Sequence, residues 1–253
     1  MILRPPSAET RQLQQSRSTS ALPIWNAIFA TQQQPPGWFI TQAGHAHLAG
    51  EIAARISAQQ FPRLTPEVVQ AISLHDEGWR DCDSRGPVRS FITFGPVDFL
   101  PAWQGSIQAA EKVSELGAAI VSGHFVRLAR TRTQMTEDSP EDKRLIDDFL
   151  KVESARRKNV LQGQPGAAKT IEELTDVLQL CDVFSLYLCC GATEPAEFPQ
   201  KFAGTTFELH RDGKAYISKP RLFRDELRLK VSATEIAANR RPSRPITLEF
   251  QLQ

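Results

Sequence analysis

From about residue 40 to 190 the apolar positions recur at helical spacing, and beyond residue 200 the repeat shortens to two. Counting from His45, residues Leu48, Ala49, Ile52, Ala53 and Ile56 recur on one stripe, so His45 faces inward and His47 points elsewhere. Thr65, Pro66 and Glu67 form a helix start: a cap, a proline in the first turn and an acid beside it. Val68, Ile72 and His75 share the stripe of that helix, with Val69 and Asp76 beside it, and Gly78 is expected to end it. Trp103, Ile107 and Ala110 point to a short helix, followed by a longer one that carries His124. Ser139 and Pro140 open another, charged to about Lys158, and Thr170 to Glu173 has capping-box form. The helix launched there carries Leu174, Leu178, Cys181, Asp182, Ser185 and Cys189 on one stripe, and Gly191 to Pro195 stops it.

Past residue 200, alternating runs flank Asp212 and Gly213, a strong hairpin sequence, and Glu226 to Ser232 and Ile246 to Leu252 alternate too. A small antiparallel sheet packed on the helical core is expected, with His210 in it and no role for that histidine. Residues 1 to about 22 show little periodicity and read as a loosely held arm. An apolar segment, 22–30, and a Gln/Pro/Gly breaker, 32–37, follow. The resulting division is an arm and lead-in over 1–37, a helical domain over 38–200 and a β-rich subdomain over 201–253. The stretch 77–101 is rich in Gly and Pro and lies next to the His75-Asp76 doublet. Trp79, Arg80, Asp81, Asp83, Arg85, Arg89, Phe91 and Phe94 are therefore expected either to shape a pocket mouth or to pin a surface excursion.

Composition narrows the class. Of 253 residues, 41% are hydrophobic and 23% charged, which is ordinary for a globular chain. A formal net charge of +1 gives no reason to expect nucleic acid or an acidic membrane as partner. Four cysteines without CxxC spacing read as reduced thiols, and no run is long enough to span a bilayer, so a cytoplasmic location is expected.

The candidate chemistry lies in the order His45, His75-Asp76, His124, Asp182, each in helical, apolar surroundings. Imidazoles and carboxylates are ligands for Zn, Fe, Mn, Ni or Mg, and burying them unpaired is costly. No Lys or Arg stands three or four residues from Asp182 to neutralise it.

Across residues 40 to 190 this pattern resembles the HD superfamily of metal-dependent phosphohydrolases: a histidine on one helix, His-Asp ending the next, an aspartate on a late helix. The strings ITQAGHAHLAGEIA, LHDEGW, VSGHFVRLA and LCDVFSLYLCC are most similar to an uncharacterised bacterial branch of it, a domain of unknown function. The resemblance implies a mainly α fold, an HD-type helical bundle carrying the small C-terminal antiparallel sheet (α+β overall). It implies metal ligands at His45, His75, Asp76 and Asp182, with one divalent ion or two. His124 is similar to the extra histidine of members that bind two metals; with one ion it is a general acid or phosphate-orienting group, so His124 and Asp76 are the catalytic candidates. Arg127, three residues after His124, is expected either to reach an anionic group on that side or to be solvated beside the helix, and Glu77 either to support the ligands or merely to end its helix. The implied function is hydrolysis of a small phosphate ester or nucleotide by metal-activated water. Two alternatives fit the same residues: a binding module without turnover, and a di-iron oxygenase.

Overall fold

A strand stands where the sequence reads as a loose arm. The computed structural model describes residues 2–4, 23–30, 37–84, 90, 93–133, 138–161, 166–237 and 242–253. Within it, β1 (Ile2–Arg4) pairs antiparallel with β2 (Gly37–Ile40). Ile2 is fully buried, as are Ile24 and Ile28 of α1 (Pro23–Ala30). The remainder of the arm, 5–22, lies outside the described residues.

The helical half runs through α2 (Gln42–Ala53), α3 (Pro66–Ser73), a 3-10 turn (Glu77–Trp79), α4 (Arg80–Ser84), α5 (Pro96–Glu111), α6 (Glu115–Thr133), α7 (Pro140–Leu161) and α8 (Ala167–Cys189). The Thr41 hydroxyl caps α2 by accepting from the Gly44 amide at 3.0 Å, and the Asp83 carboxylate accepts from the Gln42 amide at 2.6 Å. Both place acceptors at the positive end of that helix. Ser139 caps α7 as expected, accepting from the Asp142 amide at 3.1 Å.

Three expected boundaries move. α3 stops at Ser73, because Leu74 leaves the helix with φ −104° and ψ 2°, so His75 and Asp76 sit in the turn beyond it and Gly78 lies in the 3-10 turn. α5 begins at Pro96 and runs through Pro101, so the long loop is shorter than expected: Gly95, Pro96 and Asp98 were the start, and Pro101 falls inside the helix. α8 begins at Ala167 after Gly166, whose φ of 89° is left-handed; the Thr170 hydroxyl donates to the Gly166 carbonyl at 3.3 Å instead of capping.

β3 (Ala196–Phe202), β4 (Thr205–Asp212), β5 (Ala215–Lys219), β6 (Leu227–Ile236) and β7 (Pro242–Leu252) join β1 and β2 in one seven-stranded sheet of order β1-β2-β6-β7-β5-β4-β3. β5 and β7 are parallel and the other neighbours antiparallel. The expectation of a mainly α, HD-type bundle with a small C-terminal antiparallel sheet is overturned: this is an α+β fold with a substantial mixed sheet. The N-terminal strands are three and four residues long, too short to show alternation, and pairing between β5 and β7 is a long-range choice that no local pattern encodes. The β4–β5 hairpin does form there, with Asp212 closing β4 opposite Ala215 and the turn made by Gly213, at φ 57°, and Lys214.

α8 joins the layers. It packs on α2, α6, α3 and β3. Phe184 meets Phe198 and Phe223 with ring centroids 5.8 and 6.0 Å apart, and the Trp38 indole donates to the Cys189 carbonyl at 3.0 Å. Phe207, Leu209, Val231 and Leu252 add buried apolar area from the sheet, about 1.5–3 kcal/mol for each such side chain. All four cysteines are free thiols, and among the described residues no helix is long and apolar enough to cross a membrane.

Two glycines set the spacing around the His75-Asp76 turn. A Cβ on Gly50 would come 2.5 Å from Ser73 Cβ, where α2 crosses the end of α3; one on Gly78 would come 2.0 Å from the Ala102 carbonyl oxygen of α5. Backbone atoms cannot yield as a flexible side chain can. Gly78→Ala is therefore expected to lower stability by about 3 kcal/mol, roughly 6–12 °C in the thermal midpoint. Gly95→Ser, at a helix start where an added Cβ would meet none of the described residues within 4 Å, should stay within about 0.5 kcal/mol of the parent. Thermal unfolding of both variants measures the contrast.

Candidate metal centre

Three elements converge on one point. α2 presents His45, the turn after α3 presents His75 and Asp76, and α8 presents Asp182. His45, His75 and Asp182 each offer a donor atom, all within 4.8 Å of one another, and all three residues are buried. His75 Nε2 stands 3.4 Å from Asp182 Oδ1. Metal–ligand bonds of about 2.0–2.2 Å place neighbouring donors roughly 3 Å apart, so the set is close to what one ion requires.

Hydrogen bonds on the far sides of the rings aim them. His75 Nδ1–H donates to the Ile72 carbonyl at 2.8 Å, leaving Nε2 buried and without a hydrogen-bond partner among the described residues. His45 Nδ1 lies 2.7 Å from the Ser185 hydroxyl and Nε2 2.9 Å from Asp76 Oδ2. Asp76 Oδ2 is also 3.9 Å from His75 Nε2. Histidines that hold metals have this arrangement, one nitrogen tied to an acceptor and the other turned to the ion.

Charge is balanced internally. Burial opposes a charged His75, but the Asp76 and Asp182 carboxylates outweigh it and hold its pKa up at about 9. Burial would raise Asp182, yet His75 first, then His124 and His45, pull it down to about 2. At His124 burial prevails over the nearby carboxylates and pushes the ring down to about 4, so it is neutral at neutral pH.

The other candidates separate. His124, buried on α6, has Nε2 3.9 Å from Asp182 Oδ2 and Nδ1 unpartnered among the described residues, which puts it at the rim of the three-residue set. His47 points outward as the helical count predicts, its side chain 70% exposed and Nδ1 3.1 Å from the Ser73 hydroxyl. Arg127 is not available to an anion at the centre: it bridges α6 to α8 by donating to Glu172, Asp176 and Gln179. Glu77 pairs with Arg80 at the surface. Trp79 is buried edge-on against Phe94, centroids 5.5 Å apart, Asp83 caps α2 and Asp81 is exposed. Arg85, Arg89 and Phe91 lie outside the described residues. His210 is in β4, 3.8 Å from Glu208, far along the chain from the centre.

Ser185 is the residue that pattern reading placed without giving it a task. Its position three residues after Asp182, on the same helical face, was the available clue.

No curated protein and no solved structure matches the chain. A family model described as a protein of unknown function, DUF3891, matches residues 28–238, a span that holds His45, His75, Asp76, His124 and Asp182. That agrees with the resemblance to a domain of unknown function and brings no activity with it. With more than half its length matched, the chain belongs to the DUF3891 family.

Proposed function

We propose that His45, His75 and Asp182, with Asp76 beside them, hold a divalent ion (Mn, Fe, Ni, Zn or Mg), and that the centre hydrolyses a small phosphate ester or nucleotide. The carrying observation is that two buried imidazoles and two carboxylates converge, with His75 Nε2 3.4 Å from Asp182 Oδ1 and 3.9 Å from Asp76 Oδ2. Placement of the chain in the HD superfamily is part of this proposal; the order and convergence of His45, His75-Asp76 and Asp182 support it.

A divalent ion bound there lowers the pKa of a water and polarises a phosphoryl oxygen. The chain's own groups prepare the rest. The Ile72 carbonyl and Ser185 hydroxyl fix the two rings, and the Asp76 and Asp182 side chains keep 9% and 12% of their surface exposed. His124, neutral because burial holds it at about 4, suits orientation of a substrate oxygen better than proton donation at neutral pH.

A binding module without turnover is the second reading, and one observation favours it. Two open surface grooves of about 290 and 360 Å³, one lined by Ile56, Phe61 and Val69 and the other by Glu111, Glu115 and Arg156, share no lining residue with the centre and would offer a ligand a place apart from it. A screen of phosphomonoesters, phosphodiesters and nucleotides with each metal separates the two.

Elemental analysis of purified variants tests the ligand set. Asp76→Ala should lose most of its metal and any phosphoesterase activity, and His47→Ala should keep the parent occupancy. Equal metal content in Asp76→Ala and parent would sink the assignment.

A second expectation concerns pH. In the metal-free chain a charged His75 contributes stability that is fully present below pH 6.5 and is lost as pH rises through about 9. Ligation needs the neutral ring, so metal displaces that proton. Affinity should therefore climb by up to about tenfold per pH unit below 9 and level off above it. Calorimetric titrations at several pH values read both the slope and the proton released; a flat profile from about pH 7 to 8.5 would contradict it.

A further inference from the structure

We infer that Ser185 is a positioning residue that decides which nitrogen of His45 carries the proton, and so sets how strongly the centre takes a metal. The inference rests on the metal-binding reading above.

Ser185 is fully buried on α8, and its hydroxyl donates to the Asp182 carbonyl at 2.8 Å. With its proton committed there, the oxygen 2.7 Å from His45 Nδ1 must accept, which puts the ring's proton on Nδ1. Nε2 of the neutral ring then presents a lone pair to Asp76 Oδ2 at 2.9 Å. Two lone pairs at that distance repel unless a proton or a metal ion stands with them. Ser185 thus prepares a place for a cation from behind the ring.

His75 receives the same service from the Ile72 carbonyl, a backbone group that no substitution removes. His45 depends on a side chain. Without the hydroxyl, Nδ1–H would be buried with its nearest carboxylate oxygen, Asp182 Oδ1, 3.8 Å away and beyond hydrogen-bond distance. Moving the proton to Nε2 relieves that cost, because Nε2–H can donate to Asp76. The proton then occupies the space between His45 and Asp76, and both groups are withdrawn from metal binding. The hydroxyl also ties the turn of α8 that carries Asp182 to a ring on α2, so a single atom coordinates two of the three convergent residues.

The experiment uses the full-length chain and Zn²⁺ or Mn²⁺ alone as probe. Ser185→Ala should bind the metal about 10- to 100-fold more weakly. In ¹⁵N–¹H spectra of the metal-free protein, taken across pH until the His45 ring is neutral, the ring proton should sit on Nδ1 in the parent and on Nε2 in Ser185→Ala. Ser185→Thr, which keeps a hydroxyl, should restore the parent tautomer and most of the affinity. Ser122→Ala is the control, since that serine is equally buried and its hydroxyl has no partner among the described residues; it should change neither readout. An unmoved tautomer in Ser185→Ala overturns the inference, and so does a moved tautomer with unchanged affinity. If the parent takes up no metal, the metal-binding reading fails, and the tautomer measurement still decides what Ser185 does to His45. Should Ser185→Ala fail to fold, the threonine variant carries the test: loss of the Nδ1–H form there, with the hydroxyl present, overturns it.

Discussion

Two carboxylates and three imidazoles enclosed by apolar helices have to neutralise one another or be neutralised by a cation. Unpaired burial of any one of them would cost several kcal/mol, on the order of the whole stability margin of a domain. Here the balance is struck with protons: His75 is held charged to about pH 9 by Asp76 and Asp182, and Asp182 is held ionised to about pH 2 by His75 and the neighbouring rings. A balance made of exchangeable protons can be remade by a metal ion. The helices, turn and glycines around it hold that exchangeable set in one place.

The architecture follows from the demand that α2, the turn after α3, and α8 approach closely. Gly50 brings α2 onto Ser73 at the end of α3, and Gly78 brings the following turn onto the backbone of α5, so the doublet is fixed on both flanks. Asp83 reaches back to the first amide of α2. α8 is fixed by a different layer: its aromatic residues pack on the sheet, with Phe184 against Phe198 and Trp38 bonded to the Cys189 carbonyl. The seven-stranded sheet is thus the platform that holds the Asp182 helix against the others, which explains why its strands are drawn from both ends of the chain.

The inward faces of the helices were legible in the sequence because burial follows the 3.6-residue period: His45 in and His47 out came from counting alone. Stripe membership also identified Asp182 as buried, with no Lys or Arg on the neighbouring turns of its helix to neutralise it. What the sequence could not show depends on partners distant in the chain. β1 and β2 are too short for alternation and are strands through their partners, β2 on the edge of β6 and β1 on β2; Pro101 is tolerated inside α5 although proline usually marks a boundary. Arg127 could be placed near His124 but not assigned, since its acidic partners lie forty-five residues or more away on α8. The HD-type pattern led to the convergent residues, yet it carried a fold expectation that the large mixed sheet replaces.

Elsewhere the chain neutralises its buried acids in another way. Asp138, whose side chain is 3% exposed, is gripped by the Arg132 guanidinium, with one bond of 2.7 Å, and Glu153, 2% exposed, faces Arg156 at 3.1 Å. Arginine is a permanent cation and cannot give up its charge, so those pairs are fixed for good. Asp76 and Asp182 are met by histidines. An imidazole can neutralise a carboxylate with its proton and then, when a metal arrives, release that proton and offer a lone pair. The contrast within one molecule separates acids met by permanent cations from acids met by groups that can release a proton, and it is the physical argument for proposing a metal at the His45, His75, Asp76 and Asp182 cluster.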